Sequence, residues 1–181
     1  MIEPVKYRPL LNPLPVLLLV MTLGCTAPPA QAQAGSRPAK GQQGLVVAVT
    51  DGDTLTLRLP DGKPVTVRLR DIDAPEICQP WGPEAKAALS ELALNKLAIL
   101  TPATRDGYGR VVGRITVEEL DVGRRLVEEG HAWSTRTRYD RGPLVKQERM
   151  AKALGRGLHA QVPSAIPPWA WRREKGLCPK P

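Results

Sequence analysis

Two acidic clusters, Asp51-Gly52-Asp53-Thr54 and Asp71-Ile72-Asp73-Ala74-Pro75-Glu76, and two arginines, Arg68 and Arg110, are the residues whose types and spacing suit chemistry. Carboxylate oxygens gathered in this way bind hard cations such as Ca²⁺. A lone Asp-Gly-Asp-Thr reads equally well as a tight turn, and it is the second cluster that favours a site. Guanidinium groups grip phosphate oxygens through paired hydrogen bonds and stay charged at any working pH. Arg68 precedes Asp73 by five residues, and Arg110 closes the run Asp106-Gly107-Tyr108-Gly109-Arg110. Among 26 basic residues, spacing alone does not separate these two from solvated surface charges. His131 and His159 stand far apart, with no cysteine or carboxylate motif around them, and give no transition-metal pattern. Trp133, Trp169 and Trp171 either stack on bases or pack against the domain.

The elements that must position these groups follow from hydrophobic periodicity. Leu45 to Val49 is an apolar, β-branched run, and Thr54 to Leu59 and Pro64 to Arg70 alternate as half-buried strands do. The acids thus sit where the first strand gives way to the second and just after the third. Asp61-Gly62 between the second and third strands signals a hairpin, because both residues tolerate positive φ. Pro83 suits the first turn of a helix carrying the apolar stripe Ala85, Ala88, Leu89 and Leu92. Leu97 to Leu100 and Val111 to Val117 read as two further strands. Asp121 caps a short helix through Glu129, and Leu144 to Leu154 forms a last one before Gly155. Three strands, a helix, two strands and two helices are the order of a five-stranded Greek-key barrel. The fold class expected is therefore mainly β with helices (α+β), an OB-fold barrel plus about three helices.

At the scale of the chain, 181 residues suit one domain. Lys6 and Arg8 precede an apolar heart, Pro15 to Met21, too short for the about 20 residues of a membrane span. With small-x-small sites at residues 30–34, this predicts a signal peptide over residues 1–34 and an exported protein, periplasmic or secreted. Thr22-Leu23-Gly24-Cys25 also looks like a lipobox, which would tether the protein to a membrane through a lipidated Cys25. Residues 35–43 read as a linker, 44–160 as the domain and 161–181 as an irregular tail rich in proline and basic residues. Export leaves Cys78 and Cys178, which are expected to pair as a disulfide, two free thiols being the alternative. The net charge of +8 favours polyanionic partners without fixing which. No motif implies a protein partner, and a monomer is expected.

Taken together, D-G-D-T at 51–54, R-L-R-D-I-D-A-P-E at 68–76, G-P-E-A at 82–85 and D-G-Y-G-R at 106–110 closely resemble the thermonuclease, or staphylococcal-nuclease-like, family over residues 44–160. Residues 167–172 look like a tail of its bacterial members. The resemblance implies a nuclease acting on DNA and RNA with Ca²⁺ as cofactor. It places Arg68, Glu76 and Arg110 as catalytic residues, Asp53, Asp73 and the Ala74 carbonyl as calcium ligands, and Tyr108 in the nucleotide pocket. It also implies cleavage at the 5′ oxygen, leaving 3′-phosphate ends. Gly107 departs from the pattern where the best-known member has a phosphate-contacting lysine. A non-catalytic nucleic-acid-binding OB-fold is the alternative, and such a module should lack at least one of Asp53, Arg68, Glu76 and Arg110. None is missing.

Overall fold

The computed structural model describes residues 41–162 and 165–179. The leader at 1–34, Cys25 and most of the linker lie outside the described residues. The chain runs through β1 (Gln42–Val49), β2 (Thr54–Arg58), β3 (Pro64–Leu69), the short β4 (Ile72–Asp73) and α1 (Gly82–Ala93). It continues through β5 (Leu97–Arg105), β6 (Val111–Val117), the short β7 (Leu120–Asp121), α2 (Val122–Glu128) and the short β8 (Trp133–Ser134). Three helices follow: α3 (Val145–Ala153), α4 (Leu158–Gln161) and α5 (Pro168–Lys175).

Antiparallel ladders join β3 to β2, β2 to β1, β1 to β5 and β5 to β6, and a parallel ladder from β6 back to β3 closes a five-stranded OB-fold barrel. The alternation read in the sequence sets its inside: Val46, Leu55, Leu57, Val67, Leu69, Leu100 and Ile115 are buried. Ala85, Leu89 and Ala93 of α1 join the same cluster, as do Val122, Leu126 and Val127 of α2. Asp121 caps α2 as expected, its carboxylate accepting from the Arg124 N–H at 3.0 Å.

Several boundaries differ from the sequence reading, each for a physical reason. Gln42 and Gln43 belong to β1 rather than to a linker, because their backbones pair with Leu100 and Ile99 whatever their side chains. β5 runs on past Pro102, which cannot donate to a ladder, because the register shifts there between Pro102 and Thr104. In the β2–β3 hairpin only Gly62 has positive φ, at 82°. Its N–H donates to the Leu59 carbonyl, and the Leu59 N–H donates to the Lys63 carbonyl, so Pro60 and Asp61 form an ordinary turn followed by a one-residue bulge. The tail is not irregular: it holds α5, started by Pro168, and the described residues contain five helices rather than about three.

Candidate active site

The first acidic cluster is a tight turn and part of a site at once. The Asp51 carboxylate accepts from the Asp53 N–H at 3.0 Å, which folds the β1–β2 connection back on itself. Gly52 lies so close to the second cluster that a Cβ there would meet the Cβ atoms of Ala74 and Ala85 at 2.7 Å. The glycine of D-G-D-T thus packs directly on the alanines of D-A-P-E and G-P-E-A, and one close approach fixes three motifs together.

Barrel closure brings the two arginines to one pocket. Val67 of β3 pairs with Val111 of β6 and Arg68 with Val112, so Arg110, one residue before β6, enters the site that Arg68 lines. Arg68 Nη1 donates to Asp53 Oδ1 at 2.6 Å and Nη2 to Asp73 Oδ1 at 2.9 Å. Arg110 is held by Asp106, which accepts from its Nε at 2.7 Å and its backbone N–H at 3.0 Å. Arg110 Nη1 faces Thr54 Oγ1 at 3.4 Å, and that hydroxyl donates to Asp53 Oδ1 at 3.0 Å. Tyr108, 81% exposed, stands at the rim with its ring centroid 5.5 Å from the Arg110 guanidinium carbon.

Glu76 rides on a loop built from two successive turns, in which Gln79 N–H donates to the Glu76 carbonyl and Gly82 N–H to the Gln79 carbonyl. A Cβ on Gly82 would lie 2.1 Å from the Glu76 carbonyl oxygen, so the second glycine motif is needed for the loop to close. The buried Gln79 accepts from the Glu76 N–H at 3.2 Å and donates to the Ile166 carbonyl. Arg172 of α5 completes the site. Its Nη1 donates to Asp73 Oδ1 at 3.1 Å and to Glu76 Oε1 at 2.7 Å, and its Nη2 to Asp73 Oδ2 at 2.8 Å. Cys78 and Cys178 are bonded at 2.11 Å, which anchors the chain beyond α5 to this loop.

Asp53, Arg68, Glu76, Tyr108, Arg110 and Arg172 line one pocket of about 530 Å³, whose wall also includes Leu177, Cys178 and Pro179. Asp53 and Asp73 are 3% and 5% exposed. Burial raises the Asp53 carboxyl to about 7; Arg68 and the Ala74 N–H pull it down, while Asp51 and Asp73 add to the rise. Burial pulls Arg68 down, but Asp53 and Asp73 outweigh it and hold the guanidinium charged. Asp106 lies low, since its hydrogen bonds to Arg110 and Tyr108 outweigh its partial desolvation.

The donor chemistry fits the hard cation implied by the resemblance, because the Asp53 carboxylate lines the pocket and the Asp73 carboxylate is joined to it through Arg68 and Arg172. The set is sparse, however. Among the described residues no three Asp, Glu, His or Cys side chains converge into a cage, so a cation here needs water or phosphate oxygens to complete its shell. Ala74 meets Asp53 through its N–H, which donates to Oδ2 at 3.1 Å.

The pocket therefore gathers Asp53, Arg68, Ala74, Glu76, Tyr108, Arg110 and Cys178 of the residues singled out in the sequence, with Asp73 joined to it through Arg68 and Arg172 and Cys78 to its edge. His131, His159, Trp133 and Trp169 do structural work. Trp81 Nε1 donates to His131 Nδ1 at 3.2 Å, and Trp133 packs edge-on against His159 and Trp169. Arg172, Asp106 and Gln79 join the site with no role assigned to them from the sequence. The signal for Arg172 was present in Pro168, a helix-starting residue ahead of Trp-Ala-Trp-Arg. Nothing local marks Gln79, whose partners come from the fold.

Comparison with known proteins agrees with this geometry. The profile of the family described as "Staphylococcal nuclease homologue" matches residues 66–161. The chain is 35% identical over 133 residues to an "Uncharacterized endonuclease" of Haemophilus influenzae, covering 73% of this chain and 74% of that protein. It is 35% identical over 143 residues to "Protein ParB" of Escherichia coli, covering 73% and 80%. It is 40% identical over 114 residues to "Probable staphylococcal-like nuclease CAN1" of Oryza sativa subsp. japonica, covering 62% of this chain and 34% of that longer protein. The profile takes in β6, the Glu76 loop and the helices that buttress them, and the bacterial matches reach across most of both partners; the chain belongs to the staphylococcal nuclease homologue family.

Proposed function

We propose that this protein is a calcium-dependent endonuclease that hydrolyses phosphodiester bonds of DNA and RNA. The observation that carries the reading is one unbroken polar chain through the site, from Arg110 through Thr54, Asp53, Arg68 and Asp73 to Arg172 and Glu76. The nuclease names of the relatives support it. Ca²⁺ held by Asp53 and Asp73, with the Ala74 carbonyl, would neutralise charge on a phosphate oxygen. Glu76 takes the proton of the attacking water as the new phosphorus–oxygen bond forms. Arg68 and Arg110, already fixed by Asp53 and Asp106, hold the phosphoryl oxygens while negative charge builds on them. The bond to the 5′ oxygen breaks, that oxygen takes up a proton, and a 3′-phosphate end and a 5′-hydroxyl result. Tyr108 at the rim offers a ring for the adjoining nucleotide. Purified protein incubated with plasmid DNA and total RNA in Ca²⁺, Mg²⁺ or EGTA tests this. Cleavage of both in Ca²⁺ and none in EGTA is expected; binding without cleavage would identify a non-catalytic module instead.

We further propose that the protein works after export, with residues 1–34 removed or Cys25 lipidated. The Cys78–Cys178 bond supports this, because such bonds persist in oxidising compartments. The mass of the mature form distinguishes the two routes, and an intact N-terminus would refute both.

A further inference from the structure

The most heavily engaged cation of the pocket comes from outside the span matched by the family profile. A guanidinium has five N–H donors. Arg172 uses three of them on Asp73 and Glu76, so it points at the acids rather than at open solvent. Its helix is held at both ends by the loop that carries Glu76. Before α5, Gln79 Nε2 donates to the Ile166 carbonyl, and after it Cys178 is bonded to Cys78. Along the helix, Trp169 packs edge-on against Trp133 and under the Arg136 guanidinium, 4.8 Å from the ring centroid.

This placement has a cost for any other cation. Both oxygens of Asp73 face Arg172, and Oδ1 also faces Arg68. A calcium ion takes carboxylate oxygens at about 2.3–2.6 Å, inside the space that the guanidinium fills. We infer that Arg172 is a built-in counter-cation that competes with a divalent cation for Asp73, so that the disulfide-anchored C-terminal helix sets the cation affinity of the site. The inference rests on the metal-dependent reading above. A latch closed nine-tenths of the time weakens apparent cation affinity about tenfold. By reciprocity, a bound cation loosens the helix. The disulfide keeps Arg172 at high local concentration, and its removal shifts the latch toward open.

Calorimetric titration of Ca²⁺ alone into the oxidised full chain, Arg172→Gln, Arg172→Lys and the double variant Cys78→Ser with Cys178→Ser tests this. The dissociation constant should fall about tenfold or more in Arg172→Gln. Arg172→Lys should lie between it and the unaltered protein, and the disulfide-free variant should move in the same direction as Arg172→Gln. Hydrogen exchange of the α5 amides in the unaltered protein should quicken when Ca²⁺ is added, and this measurement decides if a variant does not fold. Equal or weaker Ca²⁺ binding by Arg172→Gln, no Ca²⁺ binding by any form, or α5 exchange indifferent to Ca²⁺ overturns the inference. Cleavage in EGTA would instead remove the calcium reading itself, whereas Ca²⁺-dependent cleavage with unchanged affinity in Arg172→Gln sinks only the latch.

Discussion

Arg68 reaches two carboxylates from a single strand position because a guanidinium is planar and offers donors on two nitrogens at once. A lysine at 68 keeps the charge but not the fork, so Arg68→Lys should lose most of the activity in a plasmid-nicking assay while the circular dichroism spectrum stays unchanged. Glu76 calls for a different substitution. Glu76→Gln preserves size and can still accept a hydrogen bond from Arg172, but the amide cannot take a proton, and general-base catalysis is worth about 10² to 10⁴ in rate. Cleavage should fall by that factor with DNA affinity nearly unchanged; wild-type turnover in either variant would remove these residues from the chemistry. At this scale the sequence was informative for side chains within compact motifs, such as Asp53, Arg68, Asp73, Glu76 and Arg110. It marked Arg172 only as the end of the 167–172 segment, because its contacts with Asp73 and Glu76 span 99 and 96 residues and leave no periodic trace.

The elements hold those side chains through a few close contacts, and two of them can be tested singly. Gly82 faces the Glu76 carbonyl with no room for a methyl group, so Gly82→Ala should displace the Glu76 loop, lowering both melting temperature and activity. If melting temperature and activity both stay at wild-type values, the contact is not what shapes the loop. Glu148 ties α3 to β8: its buried carboxylate accepts from the Ser134 N–H at 3.0 Å, from Arg136 and from Lys152. Glu148→Gln weakens these charge-assisted bonds, and a compromised buried hydrogen bond costs about 1–3 kcal/mol, which urea unfolding should register. Strand alternation made the barrel legible, because one face of each strand is buried in one shared core. The tail helix was harder to see, since consecutive prolines read as loop when nothing shows what the following tryptophans pack against.

For the molecule as a whole, acidity acts in opposite senses through His131 and Asp53. The His131 ring stacks on Trp81, and its Nδ1 accepts the indole N–H, which requires that nitrogen to be unprotonated. Burial lowers its pKa against the pull of Glu129, Glu91 and Glu84. A base depressed on folding contributes stability above its unfolded value of about 6.5 and loses it as pH falls through the folded value. The raised carboxyl of Asp53 works in the opposite sense, gaining stability as pH falls from about 7. The informative quantity is therefore a difference. The stability of the unaltered protein minus that of His131→Gln should shrink between pH 7.5 and pH 5, and a constant gap would refute the role given to His131. The disulfide, for its part, has a consequence in time. Cys178 lies 100 residues beyond Cys78, so at about 5–20 residues per second it is made about 5–20 s after the acids it will help to cover. Through that interval the nascent chain carries its carboxylates with neither Arg172 nor the sealing bond. The last wall of the pocket is thus a late step of maturation, and the state in which this protein first meets a cation depends on where the chain is when that step occurs.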